Sequence, residues 1–207
     1  DRGSMMATVS YESRGLVNIA DQEGGERIGF TTFGNNYRVA ASPTEVRGPL
    51  RAFPGFDCSG TGTGAAGPAD VFFQETSGLC GYNFNAVASA NAATETDGLH
   101  VAGDLALDAQ WTATMQAMVS RQESFGRYAP TPADVFVTEG SPNDPVPGDG
   151  LGAIVSHRFA AIGPRDTTTD SSIRDIRLGL EGRIGDRVDV TFGARHLRTH
   201  SFLELGR

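Results

Sequence analysis

The chain has 207 residues, a formal net charge of −8 and 27 glycines, and 39% of its residues are hydrophobic. The acidic balance argues against a nucleic-acid partner, because nothing in the sequence would neutralise phosphates in a row. The modest hydrophobic share predicts turns, loops and two-sided strands rather than a thick aliphatic core. No run of about 18 apolar residues occurs, which excludes a transmembrane helix.

The first predicted element is a strand near residues 5–13, in which apolar side chains recur at every second position. A long connection, residues 14–97, follows and is rich in Gly, Pro, Asp and Thr. It contains both cysteines of the chain, Cys58 and Cys80. Two free thiols are one interpretation. A structural disulfide is favoured, because both residues lie in polar sequence where a free thiol would be exposed, and it implies an oxidising compartment.

The next two predicted strands, near residues 99–107 and 111–122, form a hairpin around the short polar turn 108–110. Alternation is clearest in the second of them. Its polar face carries Thr and Gln side chains between the apolar positions. The apolar positions of this hairpin are Leu99, Val101, Gly103, Leu105, Trp111, Ala113, Met115, Ala117 and Val119.

A second long connection, residues 123–174, leads to a hairpin with strands near 175–184 and 187–198 around the turn 185–187. One face of this hairpin is apolar at alternate positions, from Ile176 to Ile184 and from Val188 to Ala194. The other face is charged. Its candidate functional residues are Arg177, Glu181, Arg183 and Arg195.

The connections therefore alternate between very short turns and very long polar segments. Structureless loops beyond about 15 residues are rare in compact soluble domains, whereas outer-membrane barrels combine short periplasmic turns with long outward loops. Strands of about 9–11 residues are long enough to cross the hydrocarbon layer. The pattern favours an all-β fold, an antiparallel up-and-down transmembrane β-barrel segment of about five strands with long extracellular loops. The apolar face would contact lipid, and the charged residues would face the lumen.

Motifs for catalysis or for a bound cofactor are weak. The string Gly62–Gly67 matches a dinucleotide fingerprint but lies between Cys58 and Pro68 instead of between a strand and a helix. His196 and His200 are about 13 Å apart if they lie on one strand, which is too far for a single metal ion. We predict that the protein is not an enzyme and has no cofactor or metal site.

Several segments, in order, resemble TonB-dependent outer-membrane receptors. They are Leu79–Phe84, Ser120–Pro130, Ser141–Pro145, His157–Arg165 and Leu178–Gly182.

The resemblance implies a 22-stranded barrel in the outer membrane of a Gram-negative bacterium, with an N-terminal plug. It also implies energy-coupled uptake of a scarce ligand such as a siderophore or a carbohydrate. The expected partners are outer-membrane lipid, the plug domain, the remaining barrel strands and an unidentified small ligand. Five strands cannot close such a barrel, so the chain is expected to be part of a larger one.

A second interpretation is a soluble or secreted β-rich binding or adhesion module without catalytic activity. In that case the apolar face would pack on a second sheet, and the charged face would meet bulk water. The environment of Trp111, Met115 and Val119 distinguishes the two interpretations. Lipid would cover these side chains in a barrel, and a second protein layer would cover them in a soluble domain.

Overall fold

The computed structural model describes residues 2–24, 29–185 and 187–206. These residues form an all-β structure with antiparallel strand pairs, which confirms the predicted class. The strands are β1 (Gly3–Arg14), β2 (Val17–Asn18), β3 (Phe30–Thr31), β4 (Asn36–Ser42), β5 (Glu45–Ala52), β6 (Phe72–Gln74), β7 (Cys80–Asn83), β8 (Ser89–Asn91), β9 (Ala93–Ala106), β10 (Trp111–Tyr128), β11 (Pro132–Val137), β12 (Gly152–Arg158), β13 (Arg165–Ile184) and β14 (Val188–Leu205). Short 3₁₀ helices occur at Ile19–Asp21, Pro68–Val71, Phe84–Ala86 and Ala160–Ile162.

The chain divides into two compact units. The first, which we call the sheet unit, comprises residues 1–16, 92–125 and 167–205. Its five strands follow the order β1-β9-β10-β13-β14, so each strand pairs with the next one of the set along the chain. Among the described residues this sheet is open, with β1 and β14 at its edges, and it does not close into a barrel.

The strands of the sheet unit are longer than their hydrophobic alternation predicts. For example, β10 reaches Tyr128 instead of ending near 122, and β13 begins at Arg165 instead of near 175. The added segments consist mostly of polar and charged residues, so the period-two pattern disappears while backbone pairing continues. Cross-strand ion pairs accompany this extension, as between Arg127 and Asp166 at 2.8 Å.

The second unit, which we call the loop unit, comprises residues 17–91, 126–166 and 206–207. The two connections that were predicted as loops, 14–97 and 123–174, therefore contain strands as well as loops. A four-stranded sheet has the order β11-β12-β4-β5, and smaller sheets are formed by β3-β7-β6 and by β2-β8. The alternation in these strands is too short to be recognised in the sequence, because most have two to eight residues.

Two small clusters of buried side chains form the core of the loop unit. The first is built around the disulfide and includes Cys58, Val71, Phe72, Cys80, Tyr82 and Ala129. The second consists of Tyr37, Ala153 and Val155 on the four-stranded sheet. Among the described residues, no helix is long and apolar enough to cross a membrane.

Candidate functional site

The five-stranded sheet has one apolar face, built from rows of directly paired residues. Residues that are opposite each other in an antiparallel pair point to the same side of the sheet, so the register of β1, β9 and β10 defines these rows. Four successive rows are apolar apart from glycines: Gly3, Leu105 and Ala113; Met5, Gly103 and Met115; Ala7, Val101 and Ala117; Val9, Leu99 and Val119.

The same face continues on β13 and β14. Leu178 is opposite Ala194, Leu180 is opposite Phe192, and Ile184 is opposite Val188. Trp111 lies flat against the backbone of Gly182, where an added Cβ would lie 2.3 Å from the indole ring. Glycine at 182 therefore provides the space for the indole, and Trp111 extends the apolar face to the edge of the 107–110 turn.

The apolar face ends abruptly at one level. The row after Val9, Leu99 and Val119 consists of Tyr11, Asp97 and Arg121. Arg121 forms ion pairs with Glu123 at 2.6 Å and with Asp170 at 2.7 Å. We call this end of the sheet the open end, and we call the end that carries residues 107–110 and 185–187 the turn end. The apolar face is thus a band with a charged border at the open end.

The side chains of this band are exposed instead of packed beneath a second layer. Val9 is 81% exposed, Met115 is 44% exposed and Phe192 is 60% exposed. Full burial of a side chain of this size stabilises a protein by roughly 1.5–3 kcal/mol relative to exposure. A contiguous apolar surface of this extent indicates contact with another apolar phase or with another protein surface.

The opposite face of the sheet is polar and carries a charged cluster around Asp175. This carboxylate is 5% exposed and accepts hydrogen bonds from Arg177 Nη2 at 2.8 Å and from Arg195 Nε at 2.8 Å. Arg177 and Arg195 are directly opposite each other in the register of β13 and β14. Two like charges in such a pair repel each other. The carboxylate of Asp175 offsets this repulsion because it lies between the two guanidinium groups.

All four charged residues proposed from the sequence lie on this polar face. Arg177 and Arg195 meet at Asp175, Arg183 forms an ion pair of 2.8 Å with Asp189, and Glu181 is opposite Thr191. Sequence reasoning missed Asp175, although it precedes Arg177 by two residues in the alternating pattern and therefore shares its face. The two-residue spacing between Asp175 and Arg177 could have shown that they share a face. The contact between Asp175 and Arg195 could be found only from the pairing register of β13 and β14.

The predicted disulfide between Cys58 and Cys80 is formed, and it is buried in the loop unit. Closing a loop between residues 22 positions apart stabilises by about 3 kcal/mol in the chain-entropy model. The disulfide holds β7 next to the segment 53–60, which otherwise has little regular structure. Its role is therefore structural, because the sulfur atoms are enclosed by the surrounding core.

Asn36 completes the anchoring of β7. Its side chain is fully buried, donates to the carbonyl of Cys80 at 2.7 Å and accepts from the amide of Cys80 at 2.9 Å. One side-chain amide therefore satisfies both backbone groups of a buried residue, as a neighbouring strand would. The backbone of Gly34 also approaches closely, since a Cβ there would lie 2.2 Å from the Cys80 carbonyl oxygen.

The loop unit contains a groove of about 460 Å³ lined by aromatic and aliphatic side chains. The ring of His157 lies edge-on to that of Phe159 at 4.7 Å, and its Nδ1 is hydrogen-bonded to Asn35 Oδ1. Burial lowers the pKa of His157, so its imidazole is neutral at pH 7. The volume and lining of the groove suit a small uncharged ligand. The lining residues are Asn35, Phe53, Phe56, Val135, Val137, Asn143, Val155, His157 and Phe159.

The glycine-rich string Gly62–Gly67 is an ordered loop organised by Asp70. The Asp70 carboxylate accepts hydrogen bonds from the Thr61 amide at 2.7 Å and from the Thr63 hydroxyl at 3.0 Å. The hydrogen bonds from Thr61 lower the pKa of Asp70 far below its ordinary value. The string is followed by the four-residue 3₁₀ helix Pro68–Val71, whereas the dinucleotide fingerprint places the phosphate at the N-terminus of an α-helix.

His196 and His200 lie on β14, with Arg198 between them on the same face. In the part of the chain that the structure describes, no group of three or more His, Cys, Asp or Glu side chains is arranged to hold a metal ion.

Comparisons of the chain with protein-family models, with curated protein sequences and with solved structures find no match. The two faces of the sheet and the loop unit are therefore the features of the molecule that bear on its function.

Proposed function

We propose that this chain is part of an outer-membrane β-barrel receptor of the TonB-dependent type, which takes up a scarce small ligand. The observation that carries the proposal is the apolar band of the sheet unit, which spans five strands and is exposed. On β10 the band runs over nine residues, from Trp111 to Val119. A strand needs about 9–11 residues to cross the hydrocarbon layer, so the length of the band fits such a crossing.

The polar face supports the same proposal. Outer-membrane strands alternate between lipid-facing apolar residues and lumen-facing polar residues, and the charged cluster of Asp175, Arg177 and Arg195 lies opposite the band. In this proposal the two short turns face the periplasm. The predicted lumen-facing residues Arg177, Glu181, Arg183 and Arg195 then line the wet interior.

The second candidate function is a secreted β-rich binding module without catalytic activity. It is favoured by one specific observation, the loop unit, which has its own buried clusters, a disulfide and a groove lined by aromatic residues. In this case the apolar band would be covered by another protein surface in water.

Spin labels on alternate residues of β10 test the proposal. Single cysteines at Met115, Gln116, Ala117 and Met118 are labelled in the protein reconstituted in lipid vesicles, and collision rates with oxygen and with a water-soluble nickel complex are measured. We expect labels at 115 and 117 to collide with oxygen and labels at 116 and 118 with nickel. Circular dichroism and the retained Cys58–Cys80 disulfide provide the control for folding.

Equal access of the nickel complex to all four labels would exclude lipid contact and would leave the secreted module as the remaining candidate. Protection of labels 115 and 117 from both reagents in plain buffer would indicate burial under protein and would also reject the membrane proposal.

A further inference from the structure

A second pair of opposed arginines on β13 and β14 differs from the pair at Asp175. Arg174 is directly opposite Arg198, on the face of the sheet that carries the apolar band. The neighbouring rows are Ser172 with His200 on the open-end side and Ile176 with His196 on the band side. Ser172, Arg174, Arg198 and His200 together line a cavity of about 280 Å³.

This cavity lies immediately beyond the apolar band. Ile176 is the last large apolar residue of the band on β13, and on β14 the band ends at Ala194, followed by His196 on the same face. Arg174 is therefore two residues along β13 from Ile176, and Arg198 is four residues along β14 from Ala194. These steps correspond to about 7 Å and about 13 Å along the strands.

In the part of the chain that the structure describes, the two guanidinium groups have no anionic partner. Among residues 2–24, 29–185 and 187–206, no ion pair involves Arg174 or Arg198. Asp170, four residues before Arg174 on the same face, is engaged by Arg121 at 2.7 Å and interacts electrostatically with His200. The pair at Arg177 and Arg195, by contrast, encloses the carboxylate of Asp175.

Two like charges directly opposite each other on a sheet destabilise it unless an anion lies between them. At Asp175 the protein provides that anion. Among the described residues it provides none at Arg174 and Arg198, both of which are exposed. An external anion that binds both guanidinium forks would compensate the repulsion, and a phosphate group offers the oxygen geometry that such forks bind in a bidentate manner.

We propose that Arg174 and Arg198, with His200 and Ser172, bind the phosphate group of an anionic lipid. This inference rests on the proposed function, because the apolar band must face lipid for the cavity to lie at the level of the headgroups. The acyl chains of the same lipid would lie along Ile176 and Leu178, which continue the face below the cavity. Attraction of anionic headgroups to basic side chains next to the membrane then fixes the lipid in place.

Lipid titration monitored by native mass spectrometry tests this site. The detergent-purified protein is titrated with phosphatidic acid and, in parallel, with phosphatidylcholine. We expect one tightly retained phosphatidic acid and no comparable retention of phosphatidylcholine. Arg174→Gln and Arg198→Gln should each weaken the retention about fivefold, because each basic residue near an anionic surface contributes roughly 1 kcal/mol.

Arg38→Gln is the matched control, since Arg38 is an exposed arginine of the loop unit and carries the same charge change. It should leave the retention of phosphatidic acid unchanged. Inorganic phosphate at the same concentration as the lipid distinguishes a lipid from a free anion. If it displaces phosphatidic acid, the site binds phosphate ions and the lipid assignment is overturned.

The outcomes separate this inference from the proposed function. If spin labels at 115 and 117 contact lipid while the two arginine variants retain phosphatidic acid as the unaltered protein does, only the inference fails. If those labels do not contact lipid, the proposed function and this inference fail together. Loss of retention in both arginine variants, with lipid contact at 115 and 117, supports both.

Discussion

Replacement of Met115 by arginine is the sharpest test of what the apolar band contacts. Met115 lies in the middle of the five apolar-face positions of β10, which run from Trp111 to Val119. In the proposed orientation it is near the midplane of the bilayer. Its neighbour Gln116 lies on the polar face and provides a control at the same depth, with the same introduced charge.

The expected magnitude follows from this position. An arginine on the lipid-facing side of a barrel strand destabilises the folded protein by about 2–4 kcal/mol at the midplane. This corresponds to a loss of about 30-fold to 1,000-fold in the folding equilibrium. In water the same substitution should change stability by less than about 0.5 kcal/mol, because Met115 is 44% exposed.

Reversible unfolding by urea, followed by the fluorescence of Trp111, measures this free energy in lipid vesicles and in plain buffer. We expect Met115→Arg to be destabilising in vesicles only. Gln116→Arg should cost less than about 1 kcal/mol in either medium, since it loses one exposed hydrogen bond, from Gln116 to His100. Equal free-energy changes for the two variants in vesicles would refute the assignment of the faces. A large cost of Met115→Arg in plain buffer would refute exposure of the band.

Two further predictions concern the loop unit. Asn36→Ala removes three hydrogen bonds of about 1 kcal/mol each, two of them buried, so amide exchange in β7 should accelerate about a hundredfold when it is measured by mass spectrometry. Asn91→Ala, at an exposed position, should have no effect. A change below threefold for Asn36→Ala would contradict the anchoring role. Asp70 has a lowered pKa in the folded state, so its contribution to stability is present above about pH 4 and is lost as the pH falls further. Asp70→Asn should therefore lower the unfolding temperature most at neutral pH, and the difference should shrink as the pH falls below about 4. A pH-independent difference would be inconsistent with this linkage.

The sequence located the five long strands because their alternation is a local property. Successive side chains of a strand point to opposite faces, so Met115 and Val119 can be assigned to one face before any partner is known. The ends of the strands were not predictable in this way. Around Arg121 and Asp170 both faces are polar, and only pairing with the neighbouring strand shows that the backbone is still extended.

The loop unit was the least predictable part of the chain. Its strands are short, and its anchoring contacts join distant residues, as between Asn36 and Cys80, which are 44 positions apart. The disulfide between Cys58 and Cys80 was predicted, because two cysteines in polar sequence leave a single possible pair. Only the tertiary structure showed which segments the disulfide holds together, namely β7 and the segment 53–60.

The sequence by itself determined the class of the fold, the two-faced character of the long strands and the identity of the disulfide. These properties follow from side-chain alternation and from residue type, which are written along the chain. Only the tertiary structure decided that Asp175 lies between Arg177 and Arg195 and that Arg174 is directly opposite Arg198. Such partnerships depend on the register between strands, and a shift of one residue would move every side chain to the other face.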